Sequence, residues 1–95
     1  METRERAKAT RRLAALHRRL AGLGPLMRGS VVIIGARNKQ PYFSLNKDKK
    51  THLVYLGKKR EKTAREYSAN YRTLLAIIEE MTLLNMALIK DYDGE

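Results

Sequence analysis

A chain of 95 residues with no cysteine and a formal net charge of +10 has the length of one domain and cannot form disulfides, thiolate nucleophiles or Cys-type zinc sites. No apolar run approaches the ~18 residues of a membrane span, and the opening METRERAKATRR lacks the apolar core of a secretory signal, so a soluble, cytoplasmic protein is expected. At this size only about 60 to 65% of the unfolded surface is buried, so a long helix with apolar residues on several sides gains stability from a second copy.

The charge is unevenly spread. Residues 1 to 27 carry seven Arg/Lys against two Glu, residues 28 to 60 carry nine against one Asp, and residues 61 to 95 carry four against seven acids. The positive field is therefore concentrated on the first two segments, and a polyanion is the expected partner.

In chain order, residues 1 to 24 read as a basic helix, with Ala9, Leu13, Leu16, Leu20 and Leu23 at alternating spacings of four and three. Gly22, Gly24 and Pro25 end it, since glycine accepts a left-handed cap and proline cannot continue the helix. Arg4, Arg6, Lys8, Arg11, Arg12, Arg18 and Arg19 cover its remaining surface. They form a phosphate-tracking arm or simply the wet side of an amphipathic helix.

Residues 28 to 57 predict a three-stranded antiparallel sheet. Gly29 to Ile34 holds the β-branched run VVII, Ala36 to Gln40 is a polar loop, and PYFSLN and THLVYL form a hairpin around Lys47, Asp48, Lys49 and Lys50. Taking Lys47 to Lys50 as a four-residue loop pairs Phe43 with Val54 and Leu45 with His52. That register turns Phe43, Leu45, Val54 and Leu56 toward the helices and Tyr42, Ser44, Thr51 and Tyr55 outward; a loop one residue longer would reverse the third strand.

Gly57 closes the third strand, and residues 60 to 90 predict a long helix of roughly 45 Å at 1.5 Å per residue. Tyr67, Tyr71, Leu74, Ile78, Met81, Asn85 and Leu88 follow the spacing of a helix that packs along a seam, and Leu75, Ile77, Leu84 and Ile89 widen its apolar face. A homodimer or higher homo-oligomer is expected, with Tyr71, Leu74, Ile78, Met81, Asn85 and Leu88 in the interface and Asn85 fixing register. Residues 91 to 95 form an acidic tail.

Little points to catalysis. His17 and His52 have no nucleophile or acid at motif spacing, and Glu79 and Glu80 point about 100° apart on a helix. No glycine loop has the context of a phosphate cradle. The expectation is a non-enzymatic protein with no cofactor, no metal site and no small-molecule substrate.

The runs LMRGSVV, PYFSLNKDKKTHLVYLG and ANYRTLLAIIEEMTLLNMALIK resemble a family of small bacterial and archaeal proteins classed as a domain of unknown function and sometimes labelled transposase-associated. The resemblance spans Leu26 to Lys90 and is most specific at Met27 to Ser30, at Asn70, Tyr71 and Arg72, and at Leu84 with Asn85. Members commonly carry a cysteine-bearing insert after the first strand. Here Ala36 to Gln40 holds none, so no metal role carries over. HLVYLGKKREKTAREY is also similar to integrase arm-binding and plant AP2-type domains, on Tyr55, Leu56, Gly57, Ala64 and Tyr67. That likeness implies a sheet lying in the DNA major groove with the following helix behind it.

The expected function is nucleic-acid binding, foremost of duplex DNA, in a protein associated with the nucleoid. Charge neutralisation falls to Arg28, Arg37, Lys39, Lys47, Lys49, Lys50, Lys58, Lys59 and Arg60, with Arg11 and Arg18 of the first helix, and limited base readout to Tyr42, Ser44, Thr51 and Tyr55. RNA or a single strand would suit the exposed tyrosines, and a protein-interaction module that recruits an acidic partner through its helices would suit the long apolar face. An anionic membrane is disfavoured, because the basic regions lack Trp.

Overall fold

A computed structural model describes residues 2–92. Its elements are α1 (Thr3–Ala21), β1 (Ser30–Ile34), β2 (Gln40–Lys47), β3 (Lys50–Tyr55) and α2 (Gly57–Lys90), an α+β chain of helix, three-stranded antiparallel sheet and long helix. Asp93 and Glu95 of the expected acidic tail lie outside the described residues. Among the described residues no helix is long and apolar enough to cross a membrane. The chain divides into two compact units, one formed by the chain up to Leu23 and from Thr73 onward, the other by Gly24–Arg72.

In the helical unit the apolar row of α1 turns inward as its spacing predicts. Leu16 is 0% exposed and Ala9 buried, with Leu13, Leu20 and Leu23 half-buried. From α2 the unit takes Ile77, 1% exposed, with Leu74, Met81, Leu84 and Leu88 half-buried around it. Ala9 and Arg12 share a groove with Leu84, Arg6 shares one with Leu88, and Arg12 reaches Glu80. Rising numbers on α1 thus meet falling numbers on α2, and the two segments run antiparallel. The Nε and Nη2 groups of Arg12 donate to Glu80 Oε2 and Oε1 at 2.6 and 2.8 Å, a fork-to-carboxylate pair on the rim of the contact.

In the sheet unit the strand order is β1-β2-β3, with Phe43 opposite Val31 and Val54 and with Leu45 opposite His52. This is the predicted register, and pairing runs one step further than expected, to Lys47 opposite Lys50. The loop is therefore two residues, Asp48 and Lys49, both left-handed at φ 55° and 63°. That is the mirror-type turn whose twist matches a hairpin. Phe43, Leu56 and Ala64 form the core, with Met27, Val31 and Leu45 against it.

Val54 shares the side of Phe43 but is 54% exposed, and every residue of this edge strand is likewise exposed. Gly57 begins α2 at φ 64° rather than merely ending the strand, so the helix starts three residues earlier than expected.

Polar bonds fasten the segment before β1 to the start of α2. Met27 N–H donates to the Tyr67 carbonyl at 3.2 Å, Asn70 Nδ2 to the Pro25 carbonyl at 2.8 Å, and the hydroxyl of buried Ser68 to the Gly29 carbonyl at 2.8 Å. Gly29 sits at φ 126°, and a Cβ there would lie 2.6 Å from the Ser44 carbonyl oxygen and 2.8 Å from the Phe43 ring, so only glycine lets this segment close over the core.

Candidate nucleic-acid interface

Strand alternation sorts the sheet into two faces. With Phe43 inward, one outward face carries Ser30, Val32 and Ile34 from β1, Gln40, Tyr42, Ser44 and Asn46 from β2, and Thr51, Leu53 and Tyr55 from β3. Tyr42, Ser44, Thr51 and Tyr55 thus stand together as expected. Tyr42 and Tyr55 are directly opposed, their rings meeting edge to face at 5.5 Å, and Tyr55 Oη donates to Gln40 Oε1 at 3.0 Å. Thr51 Oγ1 donates to Asn46 Oδ1 at 2.8 Å. These bonds tie β3 side chains to β2 across the face. It is more apolar than the expected mixture of Tyr, Ser, Thr and Asn, because Ile34 and Leu53 are exposed on it. The signal was available in the parity of VVII and THLVYL once the register is set.

The predicted cations do not all border that face. Lys47 and Lys50 oppose each other two pairs beyond Leu45 and His52, and alternation gives them the side of Phe43 rather than that of the tyrosines. Lys49 occupies the turn itself, while Arg37 and Lys39 are exposed in the loop before β2. Arg28 Nη1 donates to the Asn46 carbonyl at 3.0 Å at the side of β2. Arg60 Nη2 and Nε donate to the Tyr55 and Leu56 carbonyls at 2.8 and 3.0 Å, so this guanidinium secures the end of β3 as well as carrying charge. Lys58 and Lys59 are exposed in the first turn of α2, which holds no acid. Cations there are opposed by the positive end of the helix dipole, and an anionic partner would relieve that repulsion. Arg11 and Arg18 are exposed on α1, in the helical unit.

A further set of cations lies outside the expected site. Lys58, Lys62, Arg65 and Arg72 follow one another at helical spacing along one flank of α2, around a shallow cavity that Glu61, Glu66 and Ala69 also line. Of these only Lys58 belongs to the expected set; the spacing of four, three and seven was the available signal. On the other flank Arg60, Thr63, Ala64 and Tyr67 meet Met27, Phe43, Val54 and Leu56 in an almost wholly apolar groove of about 280 Å³.

The expected oligomer row divides. Tyr71, Leu74, Met81 and Leu88 are half-buried within the chain, whereas Ile78 and Asn85 are exposed. Leu75, Ile78, Met86 and Ile89 are all exposed along α2, with Thr82 in their midst. The seam read from the sequence lies astride two stripes, one filled by α1 and one facing water. His17 and His52 belong to different units.

The chain matches no protein-family model, no curated protein and no solved structure.

Proposed function

We propose that the protein binds nucleic acid without catalysis, duplex DNA foremost, through the outward face of its sheet. The observation that carries this reading is the association of two opposed tyrosines with Ser44 and Thr51 on one face of the sheet, in a segment, residues 28 to 60, where Asp48 is the lone acid among nine cations. Phosphate contacts from Lys49, Arg28, Lys58 and Lys59 position the duplex, and Tyr42, Tyr55 and exposed Leu53 supply what base contact there is. A DNA-bound protein of this kind resides on the nucleoid.

A gel shift with duplex DNA, single-stranded DNA and RNA at two salt concentrations tests it. Duplex binding weakens with salt, and replacing Lys47, Lys49 and Lys50 together with Ala flattens the plot of log affinity against log salt by about 0.9 for each phosphate no longer neutralised. Because Lys47 and Lys50 take the opposite side of the sheet, replacing Lys49 alone accounts for most of that change. Tyr42→Ala or Tyr55→Ala instead shifts preference among sequences with little change of slope. Tighter binding of single strands or RNA assigns the tyrosines to base stacking. Absence of salt-dependent binding, with nuclease-resistant capture of an acidic protein, overturns the nucleic-acid reading.

The exposed stripe of α2 favours self-association. Leu75, Ile78, Thr82, Met86 and Ile89 are spaced three, four, four and three, a palindrome about Thr82, so an antiparallel two-fold contact would set Leu75 against Ile89 and Ile78 against Met86 of a second copy. The Thr82 hydroxyl already donates to the Ile78 carbonyl at 2.7 Å, so its polar group is satisfied within the helix. Sedimentation of wild type and Ile78→Lys decides it: a wild type monomeric at tens of micromolar ends the proposal.

A further inference from the structure

Between the start of β1 and the cationic flank of α2, Ser30, Val31, Arg65, Ser68 and Arg72 enclose a cavity of about 170 Å³. At ~30 Å³ per water this is space for a small oxyanion with part of its hydration shell. No carboxylate lines it. Ser68 is 3% exposed, and its hydroxyl is used twice, donating to the Gly29 carbonyl and accepting from Arg72 Nη1 at 3.0 Å. That second bond sets the plane of the Arg72 guanidinium and occupies a single N–H, leaving the rest of the fork for another acceptor.

Arg65 is steadied from behind in the same way. Its Nε and Nη2 groups both approach Glu61 Oε2, at 2.8 and 2.7 Å, so one carboxylate orients the guanidinium without entering the cavity. Two oriented guanidinium groups, with Ser30 at the edge, thus line a space that no carboxylate among the described residues borders. Oriented guanidinium forks of this kind recognise phosphate by paired N–H donors, where lysine would offer only a point charge.

We propose that this cleft holds a single phosphate oxyanion, and that in the protein's working complex it is a backbone phosphate of the bound nucleic acid. The second half rests on the reading of the sheet face given above. Ser30 connects the two: it lines the cleft and also stands on the face of Tyr42 and Ser44, opposite Ser44 in the ladder. A strand lying on that face can therefore set one phosphate over the β1 edge and into the cleft.

The test has two arms on the full chain. In the first, inorganic phosphate is titrated against chloride at equal ionic strength while amide and arginine side-chain NMR signals are followed. Saturable shifts at Ser30, Ser68, Arg65 and Arg72 with phosphate alone are expected, and Arg72→Lys, which keeps the charge and can still reach Ser68, weakens them several-fold. In the second, duplex affinity is measured against salt for Arg65→Gln and Arg72→Gln. Each is expected to lose affinity, and the pair to lower the slope by about 0.9, the value of one neutralised phosphate.

No saturable shift with phosphate, together with unchanged slope and affinity in both Gln variants, overturns the cleft while leaving the sheet-face reading intact. Saturable phosphate binding in a wild type that binds no nucleic acid supports the cleft as a phosphate site and overturns its assignment to a nucleic-acid backbone. Native amide spectra of Arg72→Lys, Arg65→Gln and Arg72→Gln verify that the fold is unaltered in each arm.

Discussion

Leu16 and Ile77 in the helical unit are essentially cut off from water, and the Arg12–Glu80 ion pair accompanies them on the rim. The sheet unit buries a smaller apolar set, Phe43, Leu56 and Ala64, and leans on side-chain bonds to backbone carbonyls from Arg28, Arg60, Ser68 and Asn70. A helix satisfies its own backbone, so its packing can be left to apolar side chains. A three-stranded sheet has two edges and irregular segments whose carbonyls need partners from elsewhere. Arg28 and Arg60 therefore serve twice, as fasteners and as surface charge.

Leu16→Ala breaks the comparison most directly. Removing a fully buried leucine side chain costs about 2–5 kcal/mol, and the effect is expected to fall on one unit. Native-state hydrogen exchange should show faster opening of α1 and of α2 beyond Thr73, with β2 amides still protected. An equal drop in protection of β2 would mean that the two units open as one. Ser68→Ala makes the reciprocal test. It deprives the Gly29 carbonyl and Arg72 Nη1 of their shared partner, at a cost of about 1–2 kcal/mol, and β1 and the segment before it should lose protection while α1 does not.

How much of this was legible in the sequence follows from the same contrast. The row Ala9, Leu13, Leu16 and Leu20 revealed its inward side because a helix surface repeats, and Phe43 opposite Val54 followed from the pairing of two alternating strands. On α2 the period was equally clear but the direction was not. Apolar residues stand on both sides, and nothing in the chain says that α1 takes the side of Ile77 rather than that of Ile78. The clamps were not legible either. Met27 to Ser30 and Asn70 to Arg72 carry no sign in the sequence that Asn70 reaches Pro25 or that Arg72 reaches Ser68, because such bonds join residues more than 40 apart or depend on a rotamer. For the candidate site, the tyrosine face was readable from the register, whereas the Arg65 and Arg72 cleft needs β1 and α2 placed side by side.

The hairpin turn sharpens the comparison on a smaller scale. Lys49 holds φ 63° without being glycine, a conformation that costs an L-residue roughly 1–2 kcal/mol, part of which glycine returns through its greater unfolded freedom. Lys49→Gly is expected to raise the stability of the sheet unit by roughly 0.5–1 kcal/mol, measured as a higher urea midpoint at unchanged slope. The same change removes a proposed phosphate contact, so duplex affinity should fall as stability rises. A variant that is more stable and binds equally well would remove Lys49 from the interface.

The smallest effect belongs to the ion pair of the helical unit. The Arg12 guanidinium, chiefly by its hydrogen bonds and further by its charge, holds the Glu80 carboxyl below the usual carboxylate range against the opposing effect of desolvation. A carboxyl lowered in the folded state contributes stability at pH values above its unfolded range and loses it as pH falls through the folded one. Acidification through and below the ordinary carboxylate range should therefore loosen α1 from α2, and Glu80→Gln should abolish that part of the pH dependence while leaving the sheet unit's response unchanged. Both side chains are substantially exposed, 45% for Arg12 and 40% for Glu80, so solvent screens the pair, and added salt should reduce the difference between wild type and variant. If Glu80→Gln and wild type follow the same acid titration of α1 amide exchange at low salt, the contact between the two helical segments is apolar throughout, and Arg12 becomes one more cation on the wet side of α1.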